Sequence, residues 1–196
     1  MTAAGGKGIA VFGGAFDPPH RTHVRIARAA LEQLPVDELL VVPAGDHPWK
    51  LGATAPGPER LELCRIAFRD LRGVRVDDRE VARGGASFTV DTLEQLAHDH
   101  RDRPLWLVIG SDNVPTFEKW RNAARILELA HLAVFPREGW PIPTDGPIRP
   151  ARVLAVQPDA VNATALRTRL ASGERGLAEL DPLVEQRLVA QHLYGT

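Results

Sequence analysis

Short apolar runs and longer segments of helical period alternate along the chain. Six short runs predict β-strands, at residues 9–13, 38–43, 74–78, 105–110, 131–136 and 153–157. Several of these runs are apolar almost throughout, which is typical of parallel strands covered by helices on both faces. The strand pattern therefore predicts one buried parallel sheet.

Between the strands, apolar residues recur at spacings of three and four, the period of an α-helix. Strands that alternate with helices predict an α/β fold, with a single Rossmann-like, doubly wound parallel sheet and helices on both faces. In such a sheet ligands bind beyond the carboxyl ends of the strands, so the loops that follow the strands are candidates for chemistry. The six helical segments are THVRIARAALEQL (22–34), PERLELCRIAFRDL (58–71), SFTVDTLEQLAHDH (87–100), NAARILELA (122–130), ATALRTRLAS (163–172) and DPLVEQRLVAQHLY (181–194).

The size and charge of the chain fit an ordinary globular protein. Its 196 residues, 44% of them hydrophobic and 25% charged, predict one domain over 1–196, with a flexible N-terminus at 1–7 and a helical C-terminal part at 158–196. The formal net charge of −1 supplies no broad positive field for nucleic acid or anionic membranes. We expect neither as a partner, and the sequence leaves a homo-oligomer open.

Cysteine usage and the N-terminus indicate the cellular compartment. The single cysteine, Cys64, excludes an internal disulfide framework and lies in an apolar helical pattern, which predicts a buried structural thiol. Residues 1–8 lack the apolar core of a signal peptide, and no run reaches the length of a membrane span. These observations predict a cytoplasmic protein.

The loop after the first predicted strand, GGAFDPPHRTH (13–23), gathers unusual residues. Gly13 and Gly14 permit positive φ and close approach of a ligand, although they would also suit a plain tight turn. His20 and His23 lie three apart at a helix start, where free N–H groups and two imidazoles could bind phosphate. Surface or capping histidines are one alternative; a metal pair is another, but no third ligand stands at a recognisable spacing.

Later loops add groups suited to a nucleotide. Lys50 follows the second strand and could reach phosphates. Gly110 follows the fourth strand and permits close approach, while Asp112 could accept hydrogen bonds from ribose hydroxyls or an amine. Trp120 could stack on a flat ring. The alternatives are a solvated lysine, a helix N-cap at Asp112 and a tryptophan used only for packing.

Two further predicted helix starts carry polar side chains. Ser87 and Thr89 could cap their helix or hydrogen-bond a carboxylate. Thr164 and Arg167, one turn apart behind Asn162, could form a second phosphate site at a helix N-terminus. An Asn162 cap with a solvent-exposed arginine is the alternative.

Together these motifs resemble the nucleotidylyltransferase superfamily. GGAFDPPHRTH matches its G-G-x-F-D-P-x-H-x-G-H segment at every specified position except Thr22, and VNATALR (161–167) is similar to its I-S-S-T-x-I-R helix start. The resemblance runs from about residue 8 to residue 194. Three segments resemble bacterial nicotinate-nucleotide adenylyltransferases in particular: SFTVDTL (87–93), LWLVIGSDN (105–113) and FEKWRNAARILELAHLAVFPR (117–137).

The resemblance implies adenylyl transfer from ATP to nicotinate mononucleotide, giving nicotinate adenine dinucleotide and pyrophosphate without a covalent intermediate. It implies that His20, His23 and Arg167 are the catalytic groups, and that Mg²⁺ arrives with ATP and has no dedicated protein site. It places the nicotinate nucleotide near Ser87, Thr89 and Trp120. The implied ATP-binding residues are Gly13, Gly14, Phe16, His20, His23, Lys50, Gly110, Asp112, Thr164 and Arg167.

The sequence departs from the superfamily pattern at the ATP end. Thr22 stands in place of the motif glycine, where a β-branched side chain adds volume close to the nucleotide. Asn162 and Ala163 replace two serines. These changes predict weaker ATP affinity or slower turnover. Two alternatives stay open: another acceptor, such as nicotinamide mononucleotide or phosphopantetheine, and a degenerate paralogue that binds nucleotide with weak or no catalysis.

Overall fold

The computed structural model describes residues 7–45, 55–83, 85–142 and 148–196. Among these residues, no helix is long and apolar enough to cross a membrane. The strands are β1 (Gly8–Gly14), β2 (Val36–Pro43), β3 (Val74–Val76), β4 (Leu105–Gly110), β5 (Ala130–Phe135) and β6 (Arg152–Val153). The helices are α1 (Arg21–Gln33), α2 (Gly57–Phe68), α3 (Arg79–Arg83), α4 (Thr89–Asp99), α5 (Ala123–Leu129), α6 (Ala163–Ala171) and α7 (Pro182–Ala190), with 3₁₀ segments at Ser111–Lys119 and Leu193–Gly195.

The strands form one sheet in the order β3-β2-β1-β4-β5-β6, and every pairing is parallel. The chain builds outward from β1 through β2 to β3, then returns to add β4, β5 and β6 on the other side of β1. The direction of winding therefore reverses between β1 and β4, and a crevice opens at their carboxyl ends. The predicted doubly wound α/β fold is confirmed.

Side chains of β1 alternate between two cores. Ile9 and Val11 pack with α4 and α5, whereas Ala10 and Phe12 pack with α1 and α2. Successive residues of a strand point to opposite faces of its sheet, so helices cover both sides and the strand is apolar throughout. Cys64 of α2 lies fully buried in the second core. Burial raises the pKa of its thiol, as expected for the predicted structural cysteine.

The C-terminal helices pack against α2 through a third apolar cluster. Leu63 of α2 contacts buried leucines and a valine of α6 and α7. Beyond α7, the Tyr194 hydroxyl donates a hydrogen bond of 2.6 Å to the Asp17 carboxylate in the loop after β1. The last residues of the chain therefore reach its first loop.

The predicted strand 153–157 is wrong in its extent, because β6 ends at Val153. Beyond it, the Gln33 side chain of α1 accepts a hydrogen bond from the Ala155 N–H at 2.7 Å and donates one to the Ala155 carbonyl at 3.3 Å. A side chain thus satisfies backbone groups that a neighbouring strand would otherwise have paired.

Candidate active site

Two adjoining cavities open above the carboxyl ends of β1 and β4. One, of about 440 Å³, is bordered by the start of α4, and we call it the α4 pocket. The other, of about 420 Å³, is bordered by the starts of α1 and α6, and we call it the α1 pocket. Gly13, Gly14 and Trp120 border both pockets. The two pockets therefore form one cleft at the point where the winding of the sheet reverses.

The floor of the cleft is the glycine pair at the end of β1. A Cβ on Gly13 would meet only the Val42 carbonyl oxygen, at 4.0 Å, so the space above Gly13 is open to a ligand. A Cβ on Gly14 would lie 3.2 Å from the Phe16 ring. Neither glycine adopts the left-handed φ that the sequence allowed for. The glycines matter here because they lack side chains, and their conformational freedom is not used.

Phe16 forms a wall behind the α1 pocket. Its φ is +48° and its residue surface is only 2% exposed. Its ring packs edge-on against Phe12 and Phe68, and its centroid lies 4.9 Å from that of His23. Phe16 borders the pocket as expected, but with so little free surface it acts by holding the His23 ring in place.

His20 and His23 are linked through the first turn of α1. The His20 N–H donates to His23 Nδ1 at 3.1 Å, and the His23 N–H donates to the His20 carbonyl at 2.9 Å. The two rings lie 3.8 Å apart, centroid to centroid. Because Nδ1 of His23 is an acceptor, the proton of its neutral ring is on Nε2, which is then a hydrogen-bond donor. His23 borders the α1 pocket and can offer that donor to a ligand.

Both imidazoles are uncharged at neutral pH. Burial lowers the pKa of His20 to about 4, with the Arg137 and Arg21 charges acting in the same direction and Asp159 opposing them. Burial also holds the pKa of His23 well below its ordinary value, and His20 and Arg137 contribute. Among the described residues, no cluster of three metal-ligating side chains occurs. An uncharged imidazole can donate a hydrogen bond to a ligand through its ring N–H.

The start of α6 brings a cation to the same pocket. Arg167 donates to the Asp17 carbonyl at 2.7 Å and to Thr164 Oγ1 at 3.1 Å, and its side chain remains 26% exposed. Asn162 caps the helix, because its Oδ1 accepts from the Ala165 N–H at 2.8 Å. The predicted cap is confirmed, and the helix start lies beside the two histidines.

Gly110 and Asp112 border the α1 pocket from the β4 side. A Cβ on Gly110 would overlap Asp112 Oδ1, so the glycine is needed to let this carboxylate fold back. The capping alternative for Asp112 is wrong, because the 3₁₀ segment begins after Gly110 without a side-chain cap. Arg137, whose Nε lies 3.7 Å from Asp112 Oδ1, is a second cation of this pocket. Sequence reasoning missed it, although it follows β5 at the carboxyl edge of the sheet.

The start of α4 is the polar end of the α4 pocket. Capping by Ser87 or Thr89 is wrong, since Phe88 is the N-cap residue and no side chain caps the helix. Ser87 Oγ instead accepts from the Gly45 N–H at 3.1 Å and closes the end of β2. Thr89 borders the pocket, and its hydroxyl has no protein partner within the described ranges. Free backbone N–H groups and one hydroxyl are thus available to an anion.

Trp120 separates the α4 pocket from the α1 pocket. One of its faces packs on Phe117, with centroids 5.1 Å apart and the rings tilted by 30°. Arg121, the next residue, lies 4.6 Å above the Phe88 ring and borders the α4 pocket together with Lys119. The α4 pocket therefore combines an aromatic wall with two cations.

Lys50 lies outside the described residues. Thr22 does not border either pocket; the residue is 7% exposed and its hydroxyl donates to the Asp159 carboxylate. Its side chain therefore takes no volume from the described cleft, and its effect on ATP affinity stays a prediction.

Comparisons with known proteins agree with this geometry. Residues 11–169 match the family model described as cytidylyltransferase-like. A protein of Anaeromyxobacter dehalogenans named "Probable nicotinate-nucleotide adenylyltransferase" is 37% identical over 194 residues, which are 97% of this chain and 98% of that relative. A protein of the same name from Gemmatimonas aurantiaca is 36% identical over 84% of this chain and 82% of that relative.

A solved structure shares the fold. The nicotinic acid mononucleotide adenylyltransferase of Plasmodium falciparum, complexed with NaAD, has a TM-score of 0.79 over 96% of this chain and 97% of that one, at 15% identity. The family model and the sequence relatives place the chain among the cytidylyltransferase-like proteins, and it belongs to the nicotinate-nucleotide adenylyltransferase family.

Proposed function

We propose that this protein transfers the adenylyl group of ATP to nicotinate mononucleotide, giving nicotinate adenine dinucleotide and pyrophosphate. The observation that carries the proposal is the pair of adjoining pockets over the Gly13–Gly14 floor. One pocket offers cations and uncharged donors for a triphosphate, and the other offers an aromatic wall beside a free helix start. The two reactants would meet above Gly13, where no side chain intervenes.

The α1 pocket is the site for ATP. Arg167, Arg137, the α6 start and the two histidines all border it. A guanidinium binds phosphate oxygens through its planar fork. An uncharged imidazole N–H adds a directional donor where negative charge increases in the transition state. Asp112 is available to the nucleoside part of ATP.

The α4 pocket is the site for nicotinate mononucleotide. The pyridine ring stacks on the open face of Trp120. The nicotinate carboxylate accepts hydrogen bonds from the first N–H groups of α4 and from the Thr89 hydroxyl. An uncharged carboxamide would gain less from the positive end of a helix dipole, so this pocket favours the acid over the amide.

The reaction needs positioning and charge neutralisation. A phosphate oxygen of nicotinate mononucleotide forms a bond to the α-phosphorus of ATP, and the bond from that phosphorus to the bridging α,β-oxygen breaks. The electron pair leaves with pyrophosphate. Both bonds lie in line across the α-phosphorus, so holding the two nucleotides end to end supplies much of the rate.

Magnesium is expected with ATP. We expect the ion to be held mainly by phosphate oxygens and water. When bound, it would supply further neutralisation of phosphate charge. The cations of the chain itself, Arg137 and Arg167, would act from the protein side.

A pyrophosphate-release assay tests the proposal. The purified protein is given ATP and Mg²⁺ with nicotinate mononucleotide, nicotinamide mononucleotide or phosphopantetheine. We expect release with the first, and a kcat/KM lower by about tenfold or more with the amide, since a hydrogen bond to a charged group is lost. Binding of ATP without pyrophosphate release from any acceptor would refute the proposal and favour the degenerate paralogue.

A further inference from the structure

Thr22 and Asp159 connect the two helix starts that border the α1 pocket. Thr22 lies in the first turn of α1, next to His23, and its hydroxyl contacts both carboxylate oxygens of Asp159, at 2.9 and 2.7 Å. Thr22 is 7% exposed and the Asp159 side chain 17% exposed. A hydrogen bond to a carboxylate in such a shielded place is among the stronger ones in proteins.

The Asp159 carboxylate is also held from other directions. Nη2 of Arg25, three residues further along α1, lies 3.2 Å from it and donates to the Gln157 carbonyl at 2.7 Å. The Val161 N–H donates to the same carboxylate at 3.3 Å. The segment 157–161 is therefore fixed against α1 immediately before α6 begins.

The position of this segment decides where α6 starts. Thr164 and Arg167 lie in the first turns of α6 and face the α1 pocket. A glycine at position 22, as in the superfamily motif, has no hydroxyl with which to hold Asp159. The threonine thus adds a connection between the two sides of the pocket.

We propose that the Thr22–Asp159 hydrogen bond, which we call the clasp, fixes the position of the start of α6 relative to the two histidines. The distance that it fixes is the one required to bind the phosphates of ATP from both helix starts. The proposal rests on the proposed function, in which both helix starts bind those phosphates. Thr22 and Asp159 are positioning residues, because neither borders the cleft. The clasp makes ATP binding stronger, which is the opposite of the effect expected from the sequence.

Asp159 also acts on His20 through space. Burial lowers the pKa of His20, and the Asp159 carboxylate is the nearby charge that raises this pKa most. The other charged groups that act on this ring are Arg137 after β5, Arg21 of α1 and Glu179 before α7. Removing the carboxylate should therefore lower the pKa of His20 further, an effect that a purely structural residue would not have.

Matched substitutions at Thr22 test the clasp. Thr22→Val keeps the shape and removes the hydroxyl, so the KM for ATP should rise about tenfold with an unchanged KM for nicotinate mononucleotide. Thr22→Ser should retain the wild-type values, and Thr22→Gly should behave like Thr22→Val. The clasp is wrong if the serine and valine variants are equally affected, or if Thr22→Gly binds ATP more tightly than the wild type.

A double-mutant cycle tests whether the two residues act together. Asp159→Ala removes the carboxylate and leaves Thr22 without an acceptor, so it should raise the KM for ATP and lower the pKa of His20 measured by NMR titration. Combined with Thr22→Val, it should add little to the larger single effect, because both changes break one contact. Fully additive effects would overturn the coupling between Thr22 and Asp159, and an unchanged His20 titration would overturn the action of Asp159 on that ring.

Hydrogen exchange gives a readout that needs no turnover. In the ligand-free protein, the Val161 and Ala165 amides should exchange faster in Thr22→Val than in Thr22→Ser, provided that both variants unfold at similar temperatures. If the wild type releases no pyrophosphate, the proposed function fails, while exchange and calorimetric ATP binding still decide the clasp. Equal exchange in the two variants would overturn it.

Discussion

The histidine pair shows how single residues set the chemistry of the cleft. His20 is 3% exposed, and its backbone N–H fixes the tautomer of His23. The sequence places both residues at a helix start, but it does not show their burial or their charge. The burial and the charge of the histidines depend on Phe16 and Arg137, which lie far apart in the sequence.

The low pKa of His20 predicts a stability that depends on pH. An unfolded histidine titrates near 6.5, whereas His20 in the folded protein titrates near 4. Between these values the unfolded chain binds the additional proton. The free energy of unfolding should therefore fall as the pH falls from 6.5 towards 4, by up to about 1.4 kcal/mol per pH unit from this group.

Urea unfolding between about pH 7 and pH 5 measures this slope. The control is His20→Asn, which removes the titrating ring and should give a shallower dependence on pH. Equal slopes in the two proteins would show that His20 titrates at its ordinary pKa.

Thr89 gives a residue-scale prediction for the acceptor. Thr89→Val should raise the KM for nicotinate mononucleotide by about five- to tenfold, because one hydrogen bond to the carboxylate is lost. Steady-state kinetics with ATP at saturation measures it, and Thr89→Ser is the matched control. A similar loss for nicotinamide mononucleotide would show that the hydroxyl does not contact the carboxylate.

At the scale of elements, helix starts form the polar walls of the cleft. The α1 and α6 starts face the α1 pocket and the α4 start faces the α4 pocket. Each follows a loop at the carboxyl edge of the sheet, which is where a parallel α/β sheet places its helix N-termini. The cleft therefore collects partial positive charge even though the net charge of the chain is −1.

The cap of α6 is testable by substitution. Asn162→Ala should lower the free energy of unfolding by about 1 kcal/mol, because the Ala165 N–H loses its acceptor. Asn162→Ser keeps a capping oxygen and should be close to the wild type. Denaturant unfolding of the two variants measures the difference, and equal stability of the alanine and serine variants would contradict the cap.

The elements were predictable from sequence to the extent that periodicity reports them. The apolar runs located β1, β2, β4 and β5, because a sheet covered on both faces leaves a continuous signal. The edge strands β3 and β6 are short and less buried, and the predicted strand 153–157 overlaps β6 only at Val153. The 3₁₀ segment Ser111–Lys119 has no such signal, and Pro115 inside it opposes an α-helix. The sequence did not identify Arg137 as a site residue. Its role depends on its position beside Asp112 and the histidines, and residue spacing along the chain does not report contacts between different loops.

At the scale of the whole molecule, the C-terminus is tied to the first loop. Tyr194 donates to Asp17, whose carboxylate also accepts from the Ala55 N–H at 2.9 Å. Burial and the Asp17 charge raise the pKa of Tyr194, so its hydroxyl remains a donor throughout the physiological range. Arg167 binds the backbone of the same Asp17. The extent of the domain over 1–196 stays a prediction.

Removing the tyrosine hydroxyl tests this connection. Tyr194→Phe leaves the buried Asp17 carboxylate with one partner fewer, so the free energy of unfolding should fall by about 1–3 kcal/mol. Urea denaturation measures the change. An unchanged midpoint would show that the Tyr194–Asp17 hydrogen bond does not contribute to the stability of the fold.

The glycine floor has a consequence for how this protein family can diversify. In the proposed reaction the two nucleotides would meet above Gly13, and the walls of the two pockets come from separate helices that follow different strands. On that proposal, mutations around α4 can change the preferred acceptor while the starts of α1 and α6 stay intact. New members with other acceptors could evolve by altering one half of the cleft at a time.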